Sequence, residues 1–249
     1  MRHVVGAGKG AARKVANPRA YGATLRSVTV RPLANLHPAH FAPVMATGIV
    51  SIAAKFLGLH TVAAAMFALN LALYAGSWLA TLARLALHRD RVWADARDHG
   101  RAVGFFTAVA ATSVVGSQCL VIAAWPRAAA ACWVLSVALW AVLTYALVTV
   151  LVVRREKPVA PDGFHGGWLL VVVAAQSVAA LGAQVAPTLA AHGADALLLC
   201  LGLWLSGSVL YLWIAGALFT RLLLLPVSAP QLTPPYWINM GAVAITTWS

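Results

Sequence analysis

The sequence predicts an all-α integral membrane protein, and three observations carry that prediction. Of 249 residues, 61% are apolar or aromatic and only 10% are charged, where a soluble domain carries about 25% charged residues. Six long apolar runs separate the charges, each of a length that can take an α-helix across a hydrocarbon core of about 30 Å. Alternating ten-residue strand patterns, the mark of an outer-membrane barrel, are absent from the sequence.

The first run is Phe41 to Leu59, interrupted only by Lys55. The second, Val62 to Leu87, holds Arg84 in its last turn, and the third covers Ala102 to Trp125. A fourth extends from Ala128 to Val153 and a fifth from Trp168 to Ala190. The sixth, Ala196 to Leu225, ends with Arg221 beside Pro226. A seventh opens at Pro234-Pro235-Tyr236-Trp237 and stays apolar through Ile245, four residues before the last residue, Ser249. Fifteen residues from Pro235 make about 22 Å of helix, less than the bilayer core. The expectation is six full spans and a partial seventh, in a chain truncated at its C-terminal end.

Orientation follows from the count of Lys and Arg in the connections. Seven basic residues precede the first run: Arg2, Lys9, Arg13, Lys14, Arg19, Arg26 and Arg31. Arg84, Arg89, Arg91, Arg97 and Arg101 mark the second connection, and Arg154, Arg155 and Lys157 the fourth. With Arg221, sixteen basic residues fall on one side, Arg127 stands alone on the other, and Lys55 lies inside a span. The N-terminus is expected in the cytoplasm, and membrane topology accounts for the basic balance without nucleic acid. Residues 1–36 contain no Asp or Glu and several Gly, Ala and Pro, which reads as a disordered basic tail ahead of a membrane domain over 37–249. No apolar h-region with a small-residue cleavage site is present there. The expected location is a bacterial cell membrane.

Catalytic readings find little support. The histidines His3, His37, His40, His60, His88, His99, His165 and His192 lie in the tail, in connections or at helix ends, where haem or di-iron ligation between spans has no use for them. His37 and His40 flank Pro38 with no further ligand beside them. Ser206-Gly207-Ser208 has no histidine in a following span to serve as base. Cys119, Cys132 and Cys200 fall within spans and read as small apolar residues, without disulfide or CxxC metal spacing. No catalytic residue, metal or cofactor is expected.

The acidic residues exclude more than they suggest. Asp90, Asp95, Asp98, Glu156, Asp162 and Asp195 all fall in connections or at their edges. Cation carriers bury carboxylates along their path, because a desolvated cation needs a counter-charge. Apart from Arg84 and Arg221, which count with the basic connections, the only charged group within a span is Lys55, which suits anions or neutral solutes unless that amine simply snorkels to the interface.

Polar stripes at helical spacing pick out alternate spans. Thr47, Ser51 and Lys55 share one face of the first, after Pro43 and beside Gly48. The third carries Ser113 and Ser117, flanked by Thr112, Gly116 and Gln118. In the fifth stand Gln176, Ser177 and Gln184, and in the seventh Asn239 and Thr246. The aromatic residues Tyr74, Trp78, Trp133, Trp140, Trp204, Tyr211 and Trp213 enrich the second, fourth and sixth. Odd spans inside and even spans outside is the arrangement this suggests, although Asn70, Ser77 and Ser136 are polar residues of even spans.

Three strings carry a family resemblance. Phe41-Ala-Pro-Val-Met-Ala-Thr-Gly-Ile-Val50, Gly167-Trp-Leu-Leu-Val-Val-Val-Ala-Ala-Gln-Ser177 and Pro234-Pro-Tyr-Trp-Ile-Asn-Met-Gly-Ala242 resemble the first, fifth and seventh helices of the tellurite-resistance/dicarboxylate transporter family. That family includes malate permeases and the slow-type anion channels of plants. The resemblance, which runs from His37 to the end, implies five helical hairpins, ten helices in all, around a central pore lined by the odd helices. It further implies trimers, and an anionic substrate: C4-dicarboxylates such as malate, or small inorganic anions. Pro43 would kink the first pore helix, and Thr47, Ser51, Gln176, Ser177 and Asn239 would face the path. The pore-occluding phenylalanine of the family belongs to its ninth helix, for which this chain has no residue. A non-transporting fragment or scaffold is therefore the competing expectation.

Overall fold

The computed structural model describes residues 33–155, 165–224 and 234–248. The chain divides into Met1–Asn35, of which only 33–35 are described, and Leu36–Ser249, which carries every element below. Most of the expected basic tail lies outside the described residues, as do Glu156, Lys157 and Asp162 of the fourth connection, Leu225 at the end of the sixth run and Pro226 after it.

From Ala42 on, the described residues form nine α-helices in order: α1 Ala42–Phe56, α2 His60–Leu87, α3 Arg89–Arg97, α4 His99–Ala102, α5 Phe106–Val121, α6 Pro126–Val153, α7 Leu169–Val185, α8 Gly193–Leu224 and α9 Ile238–Trp248. Single 3-10 turns join α4 to α5 at Val103–Phe105, lead into α7 at Gly166–Trp168 and into α9 at Pro234–Trp237. No strand occurs among the described residues. Among the described residues, five helical segments are long and apolar enough to cross a membrane: His60–Leu87, His99–Val121, Pro126–Val153, Gly166–Thr188 and Ala190–Leu224. Ala42–Phe56 and Ile238–Thr247 are apolar but shorter.

The run Phe41–Leu59 gives a helix of only 15 residues because glycine stops it. Gly58 has φ +77°, the left-handed conformation that glycine adopts without steric penalty. With Gly58 so placed, the Leu59 N–H reaches the Ala54 carbonyl and the Gly58 N–H the Lys55 carbonyl, a Schellman ending that satisfies otherwise orphaned acceptors. Pro43 occupies the first turn of α1. A proline there costs no intrahelical hydrogen bond and presets the helical φ, so it starts the helix. The kink expected at Pro43 is thus corrected: a kink needs an interior proline.

Burial sorts the spans into two layers. In the most apolar stretch of His99–Val121 and of Gly166–Thr188, 78% and 83% of residues are buried, against 17%, 17% and 22% for the second, fourth and sixth spans. α5 packs between α1 and α7, and α7 between α5 and α9, so the four form an inner row in chain order. Outside this row, α2 covers α1 and α5, α6 covers α5 and α7, and α8 covers α7. Lipid is as apolar as these side chains, so close packing and hydrogen bonds hold the layers together. At Gly182 a β-carbon would stand 2.3 Å from the Cys200 sulfur and 2.4 Å from Trp133 Nε1, so only glycine lets α6 and α8 close onto α7.

Candidate functional site

The four inner helices begin at one end of the molecule. Ala39 before α1 abuts Gly104 before α5, where an added β-carbon would lie 2.9 Å from the Ala39 nitrogen. His165, before α7, lies against Gly100 and faces Arg221 and Asp98. Arg221 at the end of α8 donates to the Tyr236 hydroxyl just before α9. Each N-terminus carries about half a positive charge, and the four there outnumber the C-terminal ends of α2, α6 and α8, which return to the same end and offset part of it.

Side chains add to that charge. Arg84 Nη2 and Arg101 Nε each lie 2.6 Å from the Asp95 carboxylate, two cations on one anion, with Arg84 and Asp95 buried. Asp98 turns its carboxylate to the N–H groups of Gly100 and Arg101, capping α4. The ring of His40 reaches the Ser77 carbonyl and Thr81 hydroxyl of α2 at 3.2 and 3.0 Å. Burial, then the charge of Arg101, lowers the pKa of His37 below the usual histidine value, so it stays neutral to lower pH. His165 Nδ1 accepts from the Gly167 N–H at 3.0 Å, so the imidazole caps the turn leading into α7. Its pKa is also lowered, burial being the larger cause and Arg221 acting with it against the Gly100 backbone and Asp98.

Midway along the inner row, a polar chain links three helices. Thr47 Oγ1 lies 2.6 Å from Asn70 Oδ1 and 2.8 Å from the Pro43 carbonyl. Asn70 Nδ2 donates to Gln118 Oε1 at 2.6 Å. Asn70 and Gln118 are wholly buried. Gly48 makes the room: its β-carbon would meet Val114 at 2.3 Å and Asn70 at 2.9 Å. One step away, the Tyr74 and Thr112 hydroxyls sit 2.9 Å apart, tying α2 to α5 again.

The residues singled out by spacing divide into groups. Thr47 belongs to the α1–α2–α5 chain. Ser51, fully buried, donates to the Ala63 carbonyl of α2 at 2.8 Å. Gln176 Nε2 reaches the Trp204 carbonyl at 3.1 Å and the Ser208 hydroxyl at 3.4 Å, both on α8. Ser177 donates to its own helix at Ala174. Ser113 and Ser117 stand one turn apart on α5; the Ser113 hydroxyl is buried without a hydrogen-bond partner among the described residues, and Ser117 is the first residue after Phe106 to be incompletely buried. Gln184 is half-buried, its Oε1 likewise without a partner among the described residues. Asn239 on α9 and Pro43 on α1 are exposed, and Lys55 is half-buried in the last turn of α1, opposite the basic end. Spacing alone underrated Asn70, an even-span residue; the signal it offers is one amide in an apolar run of 28 residues.

Polar side chains on parallel helices, of which α5 and α7 are buried within an apolar outer layer, describe a multi-pass membrane protein of the channel and carrier class. The chain belongs to the SLAC1 family of voltage-dependent anion channels, which it matches over residues 35–249. The family comprises channels and transporters for anions, not enzymes. Neither a curated protein nor a solved structure matches the chain.

Proposed function

We propose that this protein passes small anions across a cell membrane along the inner row α1, α5, α7 and α9, with the basic end and the N-terminus in the cytoplasm. The observation that carries the reading is the polarity of that row. Four helix N-termini, Arg101 and Arg221 meet at one end, while α1, α5, α7 and α9 contain no Asp or Glu. An anion entering there meets positive potential, and nothing in the row offers a cation the counter-charge it needs.

Among the residues marked by spacing, Ser113, Ser117 and Asn239 are the strongest candidates to touch the permeant ion, because their side chains are not committed to another helix. Hydroxyl and amide donors replace part of an anion's hydration without binding it too tightly to leave. Thr47, Ser51 and Gln176 join the inner row to its outer layer. The substrate class spans chloride, nitrate and C4-dicarboxylates such as malate, and the family resemblance favours a trimer.

Flux from proteoliposomes tests the reading. Chloride, nitrate or malate should leave faster than K⁺, and Ser117→Leu should reduce that flux while insertion is unchanged. Preference for K⁺ over all three anions would refute it.

A further inference from the structure

The ends of α3 and α6 form a shallow groove lined by Arg97, Thr149, Val150, Val153 and Arg154. Its walls differ in chemistry. Thr149, Val150 and Val153 continue the outward face of α6, and Val153 is 72% exposed. This is where the apolar run of α6 ends, the depth at which hydrocarbon gives way to head groups. Trp93, 56% exposed on α3, marks the same level, since tryptophan concentrates at membrane interfaces.

Two guanidiniums close the groove. Arg154 donates through Nη1 to the Arg97 carbonyl, tying the C-terminus of α3 to the end of α6 and leaving its other N–H donors for a ligand. Arg97 stacks 5.6 Å from the centroid of the Trp93 ring, an arrangement that keeps its in-plane donors available. Among the described residues, neither arginine is in an ion pair. Two like charges over an apolar trough at the membrane interface call for a ligand with an anionic head and an apolar tail.

We propose that this groove binds an anionic phospholipid, its phosphate on Arg97 and Arg154 and an acyl chain along Thr149, Val150 and Val153. A free anion would use the arginines and leave the valines uncovered, whereas a phospholipid uses both. The site lies outside the inner row and does not depend on what that row conducts.

Native mass spectrometry of the purified full chain, with phosphatidylglycerol or phosphatidylcholine of equal chain length, reads the site directly. Wild type should retain phosphatidylglycerol preferentially. The double variant Arg97→Gln/Arg154→Gln should weaken that retention about 25-fold, or about fivefold per arginine at the interface. Val150→Trp, which fills the trough and keeps both charges, should weaken it as well, and Arg127→Gln at the opposite end should not. Three results would overturn the proposal: equal retention of the two lipids, an unaffected double variant, or displacement of the lipid by millimolar inorganic phosphate. The last would assign the arginines to a free anion.

Discussion

At the scale of single residues, the amides of Asn70 and Gln118 illustrate what a membrane interior demands. An unsatisfied amide in hydrocarbon costs kilocalories, so a buried amide within a span is stabilised by a partner on another helix. Asn70 finds two, Thr47 and Gln118, and thereby fixes the rotation of α1 and α5 against α2. Asn70→Leu should lower the stability of the detergent-solubilised protein by about 1 kcal/mol, the range of interhelical hydrogen bonds in membranes. Adding Gln118→Leu should recover part of that loss, because both amides are then gone. Thermal unfolding of the two single variants and the double closes the cycle; strictly additive losses would show that the bond couples nothing. The face of Thr47 was legible in its spacing from Ser51 and Lys55. Its partner was not, because spacing along one helix says nothing of which neighbour a side chain meets. The same limit applied to Gln176, whose amide turns to the Trp204 carbonyl of α8.

Elements were legible wherever the apolar run was long. The second to sixth spans emerge within a few residues of their expected limits, because no other structure satisfies a backbone buried in lipid. What escaped was short or polar. α3, Arg-Asp-Arg-Val-Trp-Ala-Asp-Ala-Arg, has no apolar run to announce it, and Arg84 and Arg101 hold it through Asp95. The turn into α7 was equally silent, since a histidine cap has no strong sequence signature. At that cap a pH dependence follows. His165 accepts from the Gly167 N–H only while Nδ1 is unprotonated, and its folded pKa lies below the ordinary 6.5. Above pH 6.5 both folded and unfolded chains carry it neutral. As pH falls below 6.5 the unfolded chain takes the proton first, so stability declines until the folded imidazole titrates too. His37 titrates in the same direction. Melting temperatures between pH 7.5 and 5 should therefore fall for wild type and fall less for His165→Asn, which keeps a capping oxygen. An unchanged pH slope in the variant would leave the decline to His37.

The whole molecule is electrically lopsided, and that asymmetry should be measurable. Arg84, Arg101 and Arg221 share one end with the N-termini of α1, α5, α7 and α9, while the inner helices contribute only their C-terminal ends and Lys55 to the other. A positive mouth raises the local anion concentration before any chemistry of the path is engaged. Under symmetric salt, anion current should then be larger when ions enter from the basic end. Screening decides whether this is electrostatic: the Debye length is about 10 Å at 0.1 M and about 3 Å at 1 M. Rectification in oriented planar bilayers should be evident near 0.1 M and largely vanish near 1 M. Arg101→Gln should weaken it at low salt without reversing anion selectivity, because Arg84 still holds Asp95 and the helix dipoles remain. Rectification that survives 1 M salt unchanged would trace the asymmetry to the shape of the path. A linear current–voltage relation at both salts would show that the helix ends and arginines never govern ion entry.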